Sequence, residues 1–229
     1  MFEWTNEQTL LADTASSFAS KELAPKAVEI DENEGFNQEA LQNMAALGIL
    51  GVTVDEKYGG AGLGCVEATL IKEKFSEACA STTLSYLAHA ILCVNNIGEN
   101  SSEEQRMRYL PKLTSGLWLR GMGMTEPGAG SDALNMQTRA VRKGNKYILN
   151  GTKTFITNGP YADVFVVYAR TGIGKKEIST FIVENTFPGF LVGKRLHKFG
   201  MRGSPTSELI FDNCEVPIEN LVGRENDSI

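Results

Sequence analysis

The spacing of apolar residues changes character near residue 117. Before that point the apolar positions recur at steps of three and four residues, which predicts α-helices. The first helix follows Thr5 and Gln8, which form a capping-box pattern. Its predicted inward positions are Leu10, Leu11, Ala15, Phe18 and Leu23. We expect this helix to continue past Pro25 and to end in the acidic run 31–35.

Further helices are predicted in the same part of the chain. Their inward residues are Leu41, Met44 and Ala45 in a helix between Asn37 and Gly48, and Val66, Leu70, Ile71 and Phe75 in the next. The segment 82–96 is apolar on nearly every side, which predicts a helix buried among its neighbours. A last helix is predicted to begin after Ser101 and Ser102, which are followed three residues later by Glu104 and Gln105 in capping-box patterns, and to end near Pro111.

After residue 117 the chain shows β-forming residues between turn signals. Strands are predicted over residues 164–168, 180–183, 190–192 and 208–211. Turns are predicted at Gly144-Asn145 and at Asn150-Gly151. Short strands at this spacing are typical of a barrel or sandwich. The predicted fold class is therefore α+β, with an α-helical domain over residues 1–117 and an all-β domain over residues 118–229.

Composition narrows the function classes. The chain is 42% hydrophobic and 22% charged, as globular proteins are. Its net charge of −6 argues against a nucleic-acid or anionic-membrane partner, because both require a basic face. Four cysteines without a CxxC pair and two histidines predict no metal site. We expect the cysteines of the apolar helices to be buried and reduced.

The expected location of the protein is the cytoplasm of a bacterium or the mitochondrial matrix of a eukaryote. The start of the chain has neither the basic nor the apolar region of a signal peptide, and no run approaches the ~20 apolar residues of a membrane-spanning helix. Reduced cysteines are consistent with these locations, because both compartments are reducing.

The stretch from Gly121 to Asp132 carries the strongest chemical signal. It is an apolar strand that breaks into a Gly/Pro turn with two hydroxyls, Thr125 and Ser131. Exposed backbone N–H groups in such a turn can bind an anion. The Lys-Ser/Thr end of a P-loop is missing, and the glycine spacing is not that of a dinucleotide fingerprint. By these criteria alone, a tight turn without a ligand explains the stretch at least as well.

The complete string resembles the signature of the acyl-CoA dehydrogenase family. The match is unbroken over Thr125-Glu-Pro-Gly-Ala-Gly-Ser-Asp132. Lys153-Thr-Phe-Ile-Thr-Asn-Gly159 and Gly200-Met-Arg-Gly-Ser204 resemble two later motifs of the family, and Tyr58-Gly-Gly60 resembles a loop of its N-terminal domain. The resemblance covers essentially all 229 residues. Residues 156–168 and 199–211 look most like the isovaleryl-CoA dehydrogenase branch.

The resemblance implies an FAD-dependent enzyme that oxidises an acyl-CoA thioester to the trans-2-enoyl-CoA, in fatty acid or branched-chain amino acid catabolism. A glutamate removes the α-proton while a hydride leaves the β-carbon for flavin N5. Because the α-proton is a weak acid, the site must stabilise the developing enolate with placed donors. It must also raise the pKa of the base by excluding water.

The resemblance also implies a set of cofactor-binding residues. Met122, Met124 and Thr125 would lie along the flavin ring, and Gly130 with Ser131 would hold its phosphate or ribityl region. The residues expected to cover the opposite part of the ring are Phe155, Ile156 and Thr157, and Thr157 would donate a hydrogen bond towards N5. Two positions depart from the family pattern, because Met122 replaces an aromatic residue and Phe155 replaces a tryptophan.

Substrate contacts are expected from Ser131 and from Lys175 and Lys176, which could equally form an ordinary solvated hairpin tip. Glu126 is expected to brace the turn rather than to act as the base. His89 and His197 are expected to pack or to lie at the surface.

The catalytic glutamate is expected outside this sequence, so that no residue here is predicted to be catalytic. Relatives continue with a helical bundle that holds this base, and the sequence ends where that bundle would begin. The chain is expected to be a truncated form, inactive alone. An electron-transferring flavoprotein is the expected electron acceptor, and a homodimer or homotetramer the expected assembly.

Two alternatives stay open. The chain could be a non-catalytic acyl-CoA or flavin-binding fragment, or a subunit completed by another chain. The same fold could also serve an acyl-CoA oxidase or a flavin monooxygenase.

Overall fold

The computed structural model describes residues 3–228 and places helices first and strands second, which confirms the predicted α+β class. The α-helices are α1 (Asn6–Phe18), α2 (Ala27–Glu32), α3 (Gln38–Ala46), α4 (Cys65–Ala78), α5 (Ala80–Leu87), α6 (Asn95–Asn100) and α7 (Glu103–Thr114). The first strand begins at Arg120. The exact domain boundary at residue 117 stays a prediction.

The capping boxes predicted at the starts of the first and last helices are confirmed. Thr5 caps α1 with Gln8, and Ser102 caps α7 with Gln105, each pair through reciprocal hydrogen bonds. α7 extends beyond Pro111 to Thr114, further than predicted. A proline in the last turn of a helix removes one hydrogen bond, which the buried Leu113 and Thr114 offset by packing.

Most of the positions predicted to be buried form one core. Other positions that the helical periodicity predicted to be buried are exposed. Leu10 is 68% exposed and Val66 is 41% exposed, whereas Leu23, Met44 and Phe75 are fully buried. Cys65 is also exposed, although Cys79, Cys93 and Cys214 are buried and free. Among residues 3–228, no neighbouring element covers these outliers.

The predicted helix over residues 82–96 is interrupted. α5 runs into a π-helical segment, Ala88–Val94, before α6 begins. A second π-helical segment, Ala19–Leu23, follows α1 and leads through a 3₁₀ turn to α2. Periodicity of 3.6 residues does not distinguish these wider turns. π-turns interrupt the regular hydrogen-bond ladder and are frequent near functional sites.

The strands form one eight-stranded sheet with the order β6-β7-β3-β2-β4-β5-β8, and β1 pairs with β4 in parallel. The strands are β1 (Arg120–Gly123), β2 (Arg139–Lys143), β3 (Lys146–Thr157), β4 (Val164–Arg170), β5 (Ile178–Glu184), β6 (Phe190–Arg195), β7 (Thr206–Pro217) and β8 (Leu221–Val222). The rings of Phe165 in β4 and Phe190 in β6 lie 5.1 Å apart. Strands far apart in the order therefore meet, so the sheet curls around its own core.

The turn predicted at Asn150-Gly151 is wrong. Both residues lie inside β3, where the pairing with β7 shifts register between Leu149 and Gly151. Gly151 has φ +149°, and a Cβ there would lie 2.4 Å from Oγ1 of Thr138. The Asn-Gly pair thus marks a β-bulge at a close approach, and not a hairpin. The hairpin predicted at Gly144-Asn145 joins β2 to β3.

The two parts are joined by buried polar contacts. Nδ2 of Asn158, fully buried after β3, donates to the carbonyl oxygens of Ser85 in α5 (2.9 Å) and Arg120 in β1 (3.1 Å). At the surface, the Arg202 guanidinium pairs with Asp31 at 2.7 Å. Within residues 3–228, no helix has the length and apolarity needed to cross a membrane.

The bulge gives a test of the fold. Gly151→Ala is expected to lower the free energy of unfolding by about 2–3 kcal/mol, because the new methyl group collides with Thr138 and the φ angle disfavours a side chain. Urea unfolding of the 229-residue chain measures it.

Gly144→Ala is the matched control, since Gly144 has φ +63° and a Cβ added there would meet no atom within 4 Å. Only the backbone cost, about 1 kcal/mol, is expected there. An equal loss of unfolding free energy in the two variants would contradict the close approach of Gly151 to Thr138 at the bulge.

Candidate functional site

The Gly/Pro turn that follows β1 is closed on itself by backbone hydrogen bonds. Glu126 N–H donates to Ala129 O at 3.0 Å, and Ala129 N–H donates to Glu126 O at 3.1 Å. Pro127 and Gly128 lie at the exposed tip between them. The sequence folds locally in this way because Pro fixes φ at the first central position of a turn and Gly tolerates the second.

A buried ion pair fixes this turn to β3. Lys153 is fully buried and Glu126 is 5% exposed, and Nζ of Lys153 lies 2.8 Å from Oε1 of Glu126. The carboxylate also accepts the backbone N–H groups of Gln137 at 2.5 Å and Thr138 at 2.9 Å. The ammonium donates to Met124 O at 3.0 Å. Both charges therefore have partners, and the pair ties the turn to β3 and to residues 137–138.

These contacts set the charge states. Burial works against ionisation of Glu126, but the backbone N–H of Gln137 and the Lys153 ammonium outweigh it, so the pKa of Glu126 lies below its ordinary value. Burial lowers the pKa of Lys153, and Glu126 opposes that shift. Glu126 stays ionised at neutral pH and is held as an acceptor. It braces the turn, in line with the expectation from sequence.

The same contacts bring two predicted groups of site residues together. Thr154 N–H donates to Thr125 O at 2.8 Å, and a Cβ at Gly121 would lie 2.8 Å from Thr157 O. β1 and the turn therefore lie beside the end of β3. Met122–Thr125 on one side and Phe155–Thr157 on the other are neighbours across this boundary.

Phe155 is turned outward by an irregularity in β3. Its φ is +59°, and the pairing with β7 shifts register between Lys153 and Ile156. A bulky residue at positive φ is strained, and such strain concentrates at functional sites. Its ring is 67% exposed, so it offers an apolar face to a ligand.

The contact of Ile156 with the flavin stays a prediction, but its side chain lies away from the surface formed by Phe155. Ile156 is 2% exposed and packs in the core of the sheet, because neighbouring residues of a strand point to opposite faces. It therefore offers no side chain to the surface formed by Phe155. Met122 and Met124 are half-buried and pack against the core between the helical and β parts. Thr125 and Thr157 are half-buried as well.

The far arm of the turn is open. A Cβ at Gly128 or Gly130 would meet no atom within 4 Å, and Ser131 is exposed. Backbone at these glycines can therefore be approached closely by a ligand. The described residues hold no group of three or more His, Cys, Asp or Glu side chains that could bind a metal ion.

Comparison with known proteins decides the family. Residues 5–117 match the acyl-CoA dehydrogenase N-terminal domain, and residues 121–214 match the acyl-CoA dehydrogenase middle domain. This chain belongs to the acyl-CoA dehydrogenase family. The family is FAD-dependent and its members act on acyl-CoA thioesters, as the sequence resemblance implied.

Individual relatives agree with this assignment. The mitochondrial isovaleryl-CoA dehydrogenase of Pongo abelii is 46% identical over an alignment of 231 positions, which covers 98% of this chain and 55% of the relative. The butyryl-CoA dehydrogenase structure of Megasphaera elsdenii has a TM-score of 0.94 at 36% identity, covering 100% of this chain and 61% of that one.

A glutaryl-CoA dehydrogenase of Mycobacterium smegmatis in complex with FADH2 has a TM-score of 0.92 at 32% identity, over 98% of this chain and 57% of that one. The chain thus spans about half the length of the curated relatives that it matches.

In this acyl-CoA dehydrogenase fold, the two predicted lysines lie at an exposed loop between β4 and β5. Lys175 and Lys176 are both exposed. The Arg170 guanidinium donates to Gly174 O at 2.8 Å in that loop and to Leu134 O at 3.4 Å, just beyond Ser131. One side chain therefore connects the lysine loop to the segment that leaves the turn.

Sequence reasoning missed Lys153 and Asn158 as individual residues, although both lie in the matched Lys153–Gly159 motif. The sequence carries no signal for the burial of Lys153, since a lysine in a strand can equally point to solvent. Asn158 has φ +64°, which Asn tolerates better than most residues. Its two carbonyl partners lie far away in the sequence and could not be predicted from it.

The ion pair gives a second test. Glu126→Gln and Lys153→Met are each expected to lower the free energy of unfolding by about 3–5 kcal/mol, because each leaves a buried charge without its partner. The double variant is expected to lose clearly less than the sum of the two. Urea unfolding at neutral pH measures all three. Lys146→Met is the control, since its pair with Glu215 is exposed and removal should cost under about 1 kcal/mol.

The sign of the pH dependence is an additional check. Since the folded pKa of Glu126 lies below its ordinary value of 4.5, its contribution to stability is complete above that value and is lost as pH falls through the folded pKa. The difference between wild type and Glu126→Gln should be constant around neutral pH and shrink below about pH 4. A difference that persists in strong acid would contradict a charged Glu126.

Proposed function

We propose that this chain forms the flavin- and thioester-binding part of an FAD-dependent acyl-CoA dehydrogenase. The observation that carries the proposal is the locked turn beside the end of β3. It joins half-buried methionines, an outward phenylalanine and half-buried hydroxyls along one boundary of the sheet. The names of the relatives favour a short or branched acyl group as substrate.

The residues present fit FAD. A flavin ring requires an apolar surface with a few polar groups at its edge, and Phe155 with Met122 and Met124 offers the apolar part. Thr125 and Thr157 offer the hydroxyls. The open backbone at Gly128 and Gly130 offers the uncrowded N–H groups that a phosphate requires. The thioether and the phenyl ring can replace the aromatic groups usual in the family, because both pack on a flat ring.

Each group has a proposed part in the reaction. When bound, FAD supplies the acceptor for the hydride from the β-carbon. Thr157 orients the ring by donating to its N5 edge, Ser131 contacts cofactor and CoA, and Lys175 with Lys176 binds the CoA phosphates. Met122 and Phe155 exclude water from the ring.

Glu126 is unsuited to be the base. Its carboxylate already accepts from Lys153 and from two backbone N–H groups, and its low pKa makes it a weak proton acceptor. We propose that the catalytic base of the whole protein comes from another segment. We also propose an electron-transferring flavoprotein as acceptor, in preference to the oxygen of an oxidase or monooxygenase, and a homodimer or homotetramer as the assembly.

A visible absorption titration of the 229-residue chain with FAD, followed by butyryl-CoA, tests the proposal. We expect FAD to bind weakly enough to be lost on desalting, with a spectrum that butyryl-CoA perturbs but does not bleach. Bleaching would mean that a carboxylate of this chain acts as the base, against the argument from Glu126.

Gly130→Val makes the test specific to the site. A Cβ at Gly130 meets no protein atom within 4 Å, so folding should be little affected, but the valine side chain fills the proposed phosphate cradle and should weaken FAD binding at least about tenfold. Gly200→Val is the matched control, because Gly200 is equally open and lies outside the turn. Equal FAD affinity in the two variants would contradict the assignment of the cradle.

A further inference from the structure

Arg120, the first residue of β1, is a buried cation without a hydrogen-bond acceptor. Its side chain is fully buried, and Nε, Nη1 and Nη2 have no partner within residues 3–228. A guanidinium carries five N–H donors and remains charged in proteins. Burial lowers the pKa of Arg120 to about 10, which still leaves it protonated at neutral pH. A buried charge in this state is strongly unfavourable unless something pairs with it.

The side chains that interact electrostatically with Arg120 do not supply a negative charge. They are His89 and Cys93 of the π-helical segment Ala88–Val94 and Tyr109 of α7. Burial raises the pKa of the Cys93 thiol to about 12, so the thiol is neutral. The hydroxyl of Tyr109 donates to Glu184 at 2.8 Å, and Glu184 is itself paired with Arg108.

His89, which interacts electrostatically with Arg120, has an unpaired acceptor. Its Nε2 lies 3.1 Å from Leu113 O, and a carbonyl oxygen can only accept, so Nε2 carries the hydrogen. Burial lowers the pKa of His89 to about 3, which keeps the ring neutral and leaves a lone pair on Nδ1. That Nδ1 is buried and has no partner among the described residues. The cluster therefore offers several free donors and one free acceptor.

We propose that Arg120 and His89 form a buried binding site for a carboxylate, between the segment Ala88–Val94 and β1. A carboxylate matches the guanidinium fork with two parallel hydrogen bonds and neutralises its charge. Nδ1 of His89 accepts a hydrogen bond from a hydroxyl or water held beside the carboxylate. A water molecule alone would satisfy the donors but leave the charge uncompensated.

The position of the site suggests a source for the carboxylate. Arg120 and Met122 lie two residues apart in β1, so their side chains point to the same face about 7 Å from each other. Met122 is one of the proposed flavin contacts, and an acyl group extending inward from that surface would reach Arg120 with its far end. This source rests on the proposed function. The other source is a free small carboxylate, which does not depend on it.

Thermal unfolding of the 229-residue chain in sodium formate, against sodium chloride at equal ionic strength, tests the site. We expect formate to raise Tm saturably by about 2–6 °C when it is well above its Kd. Arg120→Met should fold, because it replaces an unpaired buried charge by an apolar side chain of similar length, and should lose the formate-specific shift.

Arg139→Met is the matched control, since Arg139 is exposed in β2 and its removal should leave the formate shift intact. Arg120→Lys keeps a charge but not the fork, and should retain a reduced shift, which covers the case in which Arg120→Met does not fold. No formate-specific shift in the wild type, or an equal shift in Arg120→Met, would overturn the site.

A competition experiment separates the two sources. Glutaryl-CoA, whose acyl group ends in a carboxylate, should abolish the formate shift and bind at least about tenfold more tightly than butyryl-CoA if the acyl source is right. A formate shift that survives saturating glutaryl-CoA assigns the site to free carboxylates. Because the formate measurement involves neither FAD nor CoA, failure of the proposed function leaves it interpretable.

Discussion

The candidate site depends on one buried ion pair, Glu126 with Lys153. The turn that carries Thr125 and Ser131 is rich in glycine and would be free to adopt many conformations if it were held only by its own backbone. The carboxylate ties the turn to the backbone of residues 137–138, and the ammonium ties it to β3. Two segments that are distant in sequence are thus fixed beside each other before any ligand binds, which lowers the conformational entropy lost on binding.

The same ion pair makes Glu126 unsuited to act as a catalytic base. A catalytic base needs a free lone pair and a pKa near the working pH, whereas Glu126 has its oxygens engaged and a lowered pKa. The Glu126 carboxylate beside the proposed flavin site therefore has a structural role. The strain at Phe155 has the opposite character, since its positive φ contributes nothing to the core and places an aromatic ring in solvent. That arrangement is understandable if the ring is covered by a ligand.

Much of this can be predicted from the sequence. Local signals, such as the capping boxes at Thr5 and Ser102 and the strand-forming runs, depend on neighbouring residues, and the structure confirms them. The Thr125–Asp132 string indicates the family, which the comparisons show. The errors at Leu10 and Asn150-Gly151 share one cause with the unforeseen burial of the Ile156 side chain, since each depends on which element packs against the residue, and pairing across the sheet leaves no local trace. The π-helical turn at Ala88–Val94 has no sequence signal for the same reason.

Arg120 and Lys153 show why burial of a charge is informative. Both side chains are fully buried, so the cost of removing each from water is comparable. Lys153 meets a carboxylate and a carbonyl oxygen, and its charge is accounted for within the chain. Arg120 meets a neutral thiol, a neutral imidazole and a phenol that donates elsewhere. The fold thus compensates the buried charge of Lys153 and leaves that of Arg120 uncompensated. We infer from this difference that Arg120 receives its counter-charge from outside the chain.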